Sequence, residues 1–87
     1  MYELEIKKQP AKFIDKRTPK EKIKIAKALL TLQENPYRND LDIKKLKRSE
    51  NDYRLRIGKY RFLYSVIEHS LLIYVYKADI RGDVYKS

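Results

Sequence analysis

Tyr53-Arg54-Leu55-Arg56-Ile57-Gly58-Lys59-Tyr60-Arg61 is the stretch on which the fold turns. Gly58-Lys59 fits a two-residue type II′ turn, which takes glycine at its first central position. Counting outward pairs Ile57 with Tyr60, Arg56 with Arg61 and Leu55 with Phe62. The two-residue period of a strand then sends apolar side chains to one face and arginines to the other. Directly opposed residues sit about 4.5 to 5.5 Å apart at Cβ, and two unit charges about 5 Å apart repel by about 3 kcal/mol at an effective dielectric of about 20. Splaying into water relieves most of that repulsion, yet a surface that gathers cations is a surface that suits an anion.

Outward from the hairpin, Tyr60 to Ile67 continues as a strand, a turn falls at Glu68-His69-Ser70, and Leu71 to Lys77 forms the next strand of an antiparallel meander. Upstream, Ile43 to Lys47 reads either as an edge strand or as an extension of the loop over Tyr37 to Asp42. At the other end of the chain, Tyr2, Leu4 and Ile6 alternate with Glu3, Glu5 and Lys7 as in a half-buried strand. Pro10 opens a short helical turn through Phe13 and Ile14. Thr18-Pro19-Lys20-Glu21 carries an N-cap threonine, proline at the first helical position and glutamate three residues after the cap, a capping box. In the helix that follows, Ile23, Ile25, Ala26, Leu29, Leu30 and Leu32 share one half, and Lys20, Lys24, Lys27 and Thr31 the other; Asn35-Pro36 stops it. The order β-α-α-β-β-β predicts one α+β domain over residues 1–87, a small antiparallel sheet covered on one face by two N-terminal helices, with the arginine face left open. Tyr60, Phe62, Tyr64 and Val66 share parity with Leu55 and belong in the core, while the facing of Tyr74 and Tyr76 depends on the length of the Glu68 turn.

The chain has 87 residues and a formal charge of +9, with 10 Lys and Arg against 7 Asp and Glu in residues 1–43 but 11 against 5 in residues 44–87. The excess is concentrated where the hairpin lies, and it predicts a polyanionic partner, nucleic acid or an acidic protein. Without cysteine there is no disulfide and no thiolate metal site. The first residues lack the pattern of a signal peptide, and the run Leu71 to Tyr76 is too short to span a bilayer, so a cytoplasmic protein is expected. No His, Cys or carboxylate cluster has metal-ligand spacing, and neither a glycine-rich phosphate loop nor a Ser-His-Asp arrangement is present; no cofactor or metal is expected. The single histidine, His69, sits in a turn and is read as a surface residue.

The candidate site is Arg54, Arg56 and Arg61 with Arg81 and Tyr85 from the tail. If the last strand pairs beside the Arg61 strand, its end returns to the level of Arg61 and the tail folds over the same patch. Guanidinium suits the role because its planar fork holds two phosphate oxygens and keeps its proton. The bland alternative is that these arginines keep a sheet face soluble and blunt edge pairing. Lys44, Lys45, Lys47 and Arg48 read as a solvated edge that also attracts RNA phosphate.

These residues resemble the RelE branch of the RelE/ParE toxin superfamily. The resemblance rests on Leu46, on Tyr53 through Val66, and on Arg81-Gly82-Asp83-Val84-Tyr85-Lys86. It implies a toxin that enters the ribosomal A site and cleaves messenger RNA by metal-free attack of a ribose 2′-hydroxyl, inhibiting translation. It also implies a cognate RelB-like antitoxin that covers the basic surface, and contact with operator DNA only through the antitoxin complex. Arg54, Arg56, Arg61, Arg81 and Tyr85 match the positions that bear activity in RelE-type nucleases. Two departures stand out. Many relatives carry lysine where this chain has Arg54 and Arg56, and many have histidine at the position of Ile80. Arginine does not serve as a general base, which leaves the base unassigned; Tyr85 needs nearby cations to ionise, and Asp79 or Asp83 qualifies only if turned inward. Two other classes compete: a ParE-like gyrase inhibitor, and a non-catalytic module that binds RNA or antitoxin.

Overall fold

A computed structural model describes residues 1–80. Its centre is the hairpin. Gly58 has φ +59° while Lys59 stays at negative φ, as a II′ turn demands, and β3 (Asp52–Ile57) pairs with β4 (Tyr60–Ile67) in the expected register, Leu55 with Phe62 and Arg56 with Arg61. Leu55, Phe62, Tyr64 and Val66 are buried, as is Tyr60. His69 is exposed, in a short 3-10 turn over Glu68–Ser70. That turn leads through Leu71, in the left-handed region at φ 50°, into β5 (Leu72–Ile80), which runs three residues beyond the expected end.

The fold class is as expected, with two differences in the sheet. It has five strands, in the order β1-β5-β4-β3-β2, because Asp42–Lys45 pairs with β3 as edge strand β2. It is also mixed rather than wholly antiparallel: β1 (Glu3–Ile6) lies parallel to β5, Leu4 opposite Ile73 and Ile6 opposite Val75. No hairpin joins these two strands, so no turn dictates their relative direction.

Helix α1 (Lys8–Asp15) is longer than the expected turn, and α2 (Pro19–Glu34) begins where the capping box places it. Thr18 Oγ1 accepts from the Glu21 N–H at 3.2 Å, and the Glu21 carboxylate accepts from the Thr18 N–H at 3.1 Å, a cap that contributes about 1 kcal/mol. The buried row on α2 is Ile25, Leu29 and Leu32. Ile23 and Leu30, expected on the apolar half, are 59% and 60% exposed, and Ala26 is exposed as well. At 100° per residue Ile23 lies almost opposite Ile25, and the sheet is reached only by the narrower row.

Where β1 ends, Gln9 of α1 replaces it. Its side-chain amide donates to the Ala78 carbonyl and accepts from the Ala78 N–H, both at 2.8 Å, so the edge of β5 stays hydrogen-bonded at Ala78 beyond the last rung with β1. A bulge interrupts the other side of β5: Leu63 pairs with Lys77 but Tyr64 with Val75, which leaves Tyr76 as the extra residue. Because of it Ala78 packs in the core against Phe62, and Asp79 comes to lie opposite Arg61. Among the described residues no helix is long and apolar enough to cross a membrane.

Candidate nucleic-acid interface

The face of the sheet opposite the core is built from alternate residues of β2, β3, β4 and β5. Arg56 and Arg61 face each other across β3 and β4, and Arg54 lies one step further along β3, opposite Leu63. A row of cations at this spacing is unfavourable unless acids intervene, and two do. Asp42, at the start of β2 and paired in register with Arg56, accepts from Arg54 Nη2 at 2.8 Å and lies 3.4 Å from Arg56 Nη1. On the other side Asp79 accepts from Arg61 Nε and Nη2 at 3.2 and 3.3 Å. Thus the repulsion built into the hairpin is offset from both flanks.

The face is therefore less open than expected. Arg54 is buried, its side chain only 10% exposed, while those of Arg56 and Arg61 retain 26% and 15%. The Nε atoms of Arg54 and Arg56 are buried and have no hydrogen-bond partner among the described residues. Unpaired guanidinium donors of this kind cost stability. Such a row can hold a phosphodiester along the edges of Arg56 and Arg61 that remain in solvent and stabilise charge that develops on it.

Of the other sequence candidates, Lys44 lies opposite Arg54 and shares this face, whereas Lys45 lies opposite Tyr53 on the other. Lys47 and Arg48 are exposed in the turn between β2 and β3. Arg81 and Tyr85, like Asp83, lie outside the described residues; β5 ends at Ile80, opposite Tyr60 beside the hairpin turn. Asp79 does turn inward. Sequence reasoning missed Asp42, whose signal is its placement opposite Arg56 once β2 is paired, and it left Tyr74 and Tyr76 unplaced. Both alternate with the buried Val75 and so stand on the arginine face, their ring centroids 6.3 Å apart. Burial, and then the charge of Asp52, pushes the Tyr76 phenol above its ordinary pKa.

A five-stranded mixed sheet with two helices is the architecture shared by solved RelE toxins. The chain superposes on RelE in an archaeal RelE–RelB complex from Pyrococcus horikoshii with a TM-score of 0.83 and 28% identity, over 93% of this chain and 96% of that one. It also matches the RelB–RelE complex from Methanococcus jannaschii, with a TM-score of 0.73 and 26% identity over 93% and 94%. The isolated E. coli RelE toxin shares the fold at a TM-score of 0.78 and 22% identity, over 98% and 92%. No family model matches the sequence. A curated relative does: "Putative toxin RelE1" of Methanocaldococcus jannaschii is 34% identical over 87 residues, covering 99% of this chain and 97% of its own length. This chain belongs to the RelE toxin family.

Proposed function

We propose that the chain is the toxin of a toxin–antitoxin pair and a ribosome-dependent endoribonuclease that cleaves messenger RNA in the A site. The observation that carries this reading is the cationic row of Arg54, Arg56 and Arg61 on adjacent rungs of one face, where a single phosphodiester can reach two guanidiniums. In the proposed reaction the ribose 2′-oxygen forms a bond to the adjacent phosphorus, the bond to the 5′-oxygen breaks, and the 2′-hydroxyl proton passes to a base. Arg61 and Arg81 hold the phosphate, with Arg81 assisting the leaving oxygen. Arg56 orients the backbone. Arg54, being buried, contributes its field and its hold on Asp42 rather than a direct contact. Tyr85 stacks on a base or lies near the 2′-hydroxyl. Metal is not required, since the guanidiniums themselves supply the positive charge. With the base no better than weak, positioning by the ribosome supplies much of the rate.

The proposed partner is a RelB-like antitoxin, as in the solved RelE–RelB complexes from P. horikoshii and M. jannaschii. Besides the basic face, an apolar groove of about 250 Å3 between α2 and β1, lined by Leu4, Ile6, Ile14, Ala26, Leu29 and Leu30, suits an amphipathic segment of such a partner. Operator DNA is then met only through the antitoxin complex, and the proposed location is the cytoplasm.

Purified chain incubated with translating ribosomes tests the reading. Messenger 5′ ends mapping within the A-site codon are expected. Intact messenger together with inhibited gyrase supercoiling would replace it with the gyrase reading, and salt-sensitive RNA binding without cleavage with the non-catalytic one.

A further inference from the structure

The bulge at Tyr76 does more than aim Asp79. It leaves Tyr74 and Tyr76 side by side on the arginine face, half-buried, with rings tilted 42° to each other. Lys7 of the neighbouring strand end sits 4.7 Å from the Tyr74 ring centroid. On β4 the residue opposite Tyr74 is Ser65, whose hydroxyl hydrogen-bonds Asp52. These two aromatic rings share their face with the arginines and with Leu63 and Ser65, and are not part of the core, which lies on the other side of the sheet.

Distance relates them to the arginines. Asp79, level with Arg61, is three residues from Tyr76 along β5, roughly 10 Å at about 3.3 Å per residue. That separation corresponds to about one to two nucleotides of an extended single strand. An aromatic face presents the same stacking surface to every base, whereas guanidinium forks grip the phosphates, and together these are the two elements of single-strand recognition. Lys44 and the exposed Lys77 add positive charge around the same face, while Lys7 is paired at 3.4 Å with Glu5, which lies opposite Tyr74 on β1.

We infer that Tyr74 and Tyr76 form a base-stacking platform for nucleotides next to the phosphate held by Arg56 and Arg61, so that the toxin grips single-stranded RNA by backbone and bases together. This rests on the nuclease reading for the identity of the substrate but not on cleavage. A sequence-tolerant platform is what an enzyme presented with many different codons requires.

The test measures binding of the full-length chain to a fluorescently labelled, non-cleavable 2′-O-methyl hexaribonucleotide, and to the same oligomer with abasic residues. Tyr74→Ala and Tyr76→Ala are expected to weaken binding of the base-bearing oligomer by about tenfold each and to leave the abasic one unchanged. Tyr→Phe at both positions keeps the affinity, while Tyr→Leu, which retains apolar area but cannot stack, loses it; this comparison holds even where the alanine variants fold poorly. Arg61→Ala is expected to weaken both oligomers and to lower the salt dependence. Equal losses on both oligomers in the tyrosine variants, unchanged affinity in the leucine variants, or no binding by the unaltered chain would each overturn the platform. So would tyrosine variants that bind RNA normally but lose affinity for an acidic antitoxin peptide, which would assign the rings to a protein partner. Stacking with no ribosomal cleavage would sink the nuclease reading and leave the platform standing.

Discussion

Replacing Asp42 with asparagine removes one charge from the β2 flank of the cationic row while keeping the shape of the side chain. In the structure this carboxylate accepts from Arg54 at 2.8 Å and lies 3.4 Å from Arg56. Breaking a fully buried pair costs about 3 to 5 kcal/mol because the surviving charge stays unpaired. Here Arg54 is 10% exposed but Asp42 is 51% exposed, so solvent screens one side, and a loss of about 1 to 2 kcal/mol is expected. For a domain of this size that lowers Tm by roughly 5 to 15 °C. RNA affinity should move the other way. A phosphate docked on the outer edges of the guanidiniums lies about 6 Å from the carboxylate, and the repulsion relieved there is about 1 kcal/mol between the aqueous and protein dielectric limits. Tighter binding by about fivefold follows. Thermal melts and anisotropy with the non-cleavable hexaribonucleotide measure both effects, and raising the salt should shrink the affinity gain. If Asp42→Asn melts with the unaltered chain and binds RNA no better, the carboxylate is a solvated bystander and the reasoning fails. Weaker binding would refute it too, by making Asp42 the residue that orients Arg56.

Arg61→Ala should cut ribosomal cleavage by about 10²- to 10³-fold, the usual cost of losing one donor to developing charge, with a stability loss of about 1 kcal/mol because its pair with Asp79 is only partly exposed; primer extension and a melt separate the two. Tyr64→Phe removes a buried hydroxyl that donates to the Pro36 carbonyl at 2.7 Å, for a loss of about 1 to 2 kcal/mol read by denaturant unfolding. Burial pushes the Tyr64 phenol well above its ordinary pKa, and burial with the Glu68 carboxylate does the same to Tyr37. A raised folded value means stability is intact below about pH 10, the unfolded value, and is lost above it; Tyr64→Phe should flatten that alkaline limb in melts taken against pH. The Tyr60 hydroxyl and the Thr18 N–H hold the Glu21 carboxyl below the usual range. Its contribution is therefore present above the unfolded value of about 4.3 and fades as the pH falls through the lower folded value, so Glu21→Gln should show a shallower acid limb.

Much of this molecule is legible in short stretches. A glycine at the first turn position determines the hairpin register, and with it the opposition of Arg56 to Arg61 and the burial of Leu55, Phe62 and Tyr64; Thr18-Pro19-Lys20-Glu21 determines where α2 begins. Each depends only on dihedral preferences and hydrogen bonds between residues a few positions apart, which is why sequence reading succeeds there. The identity of the cationic residues is equally a matter of sequence, as is the resemblance that names their family. What surrounds them is not. Asp42 reaches Arg54 and Arg56 only once β2 has chosen its register across the Lys47 to Asn51 turn, and Asp79 reaches Arg61 only because one extra residue in β5 reverses the facing of everything beyond it. The parallel docking of β1 and the placement of Gln9 against Ala78 depend on residues nearly seventy positions apart. Local preference sets which side chains alternate, but the pairing of remote strands, decided by the summed burial of the core, sets which charges meet.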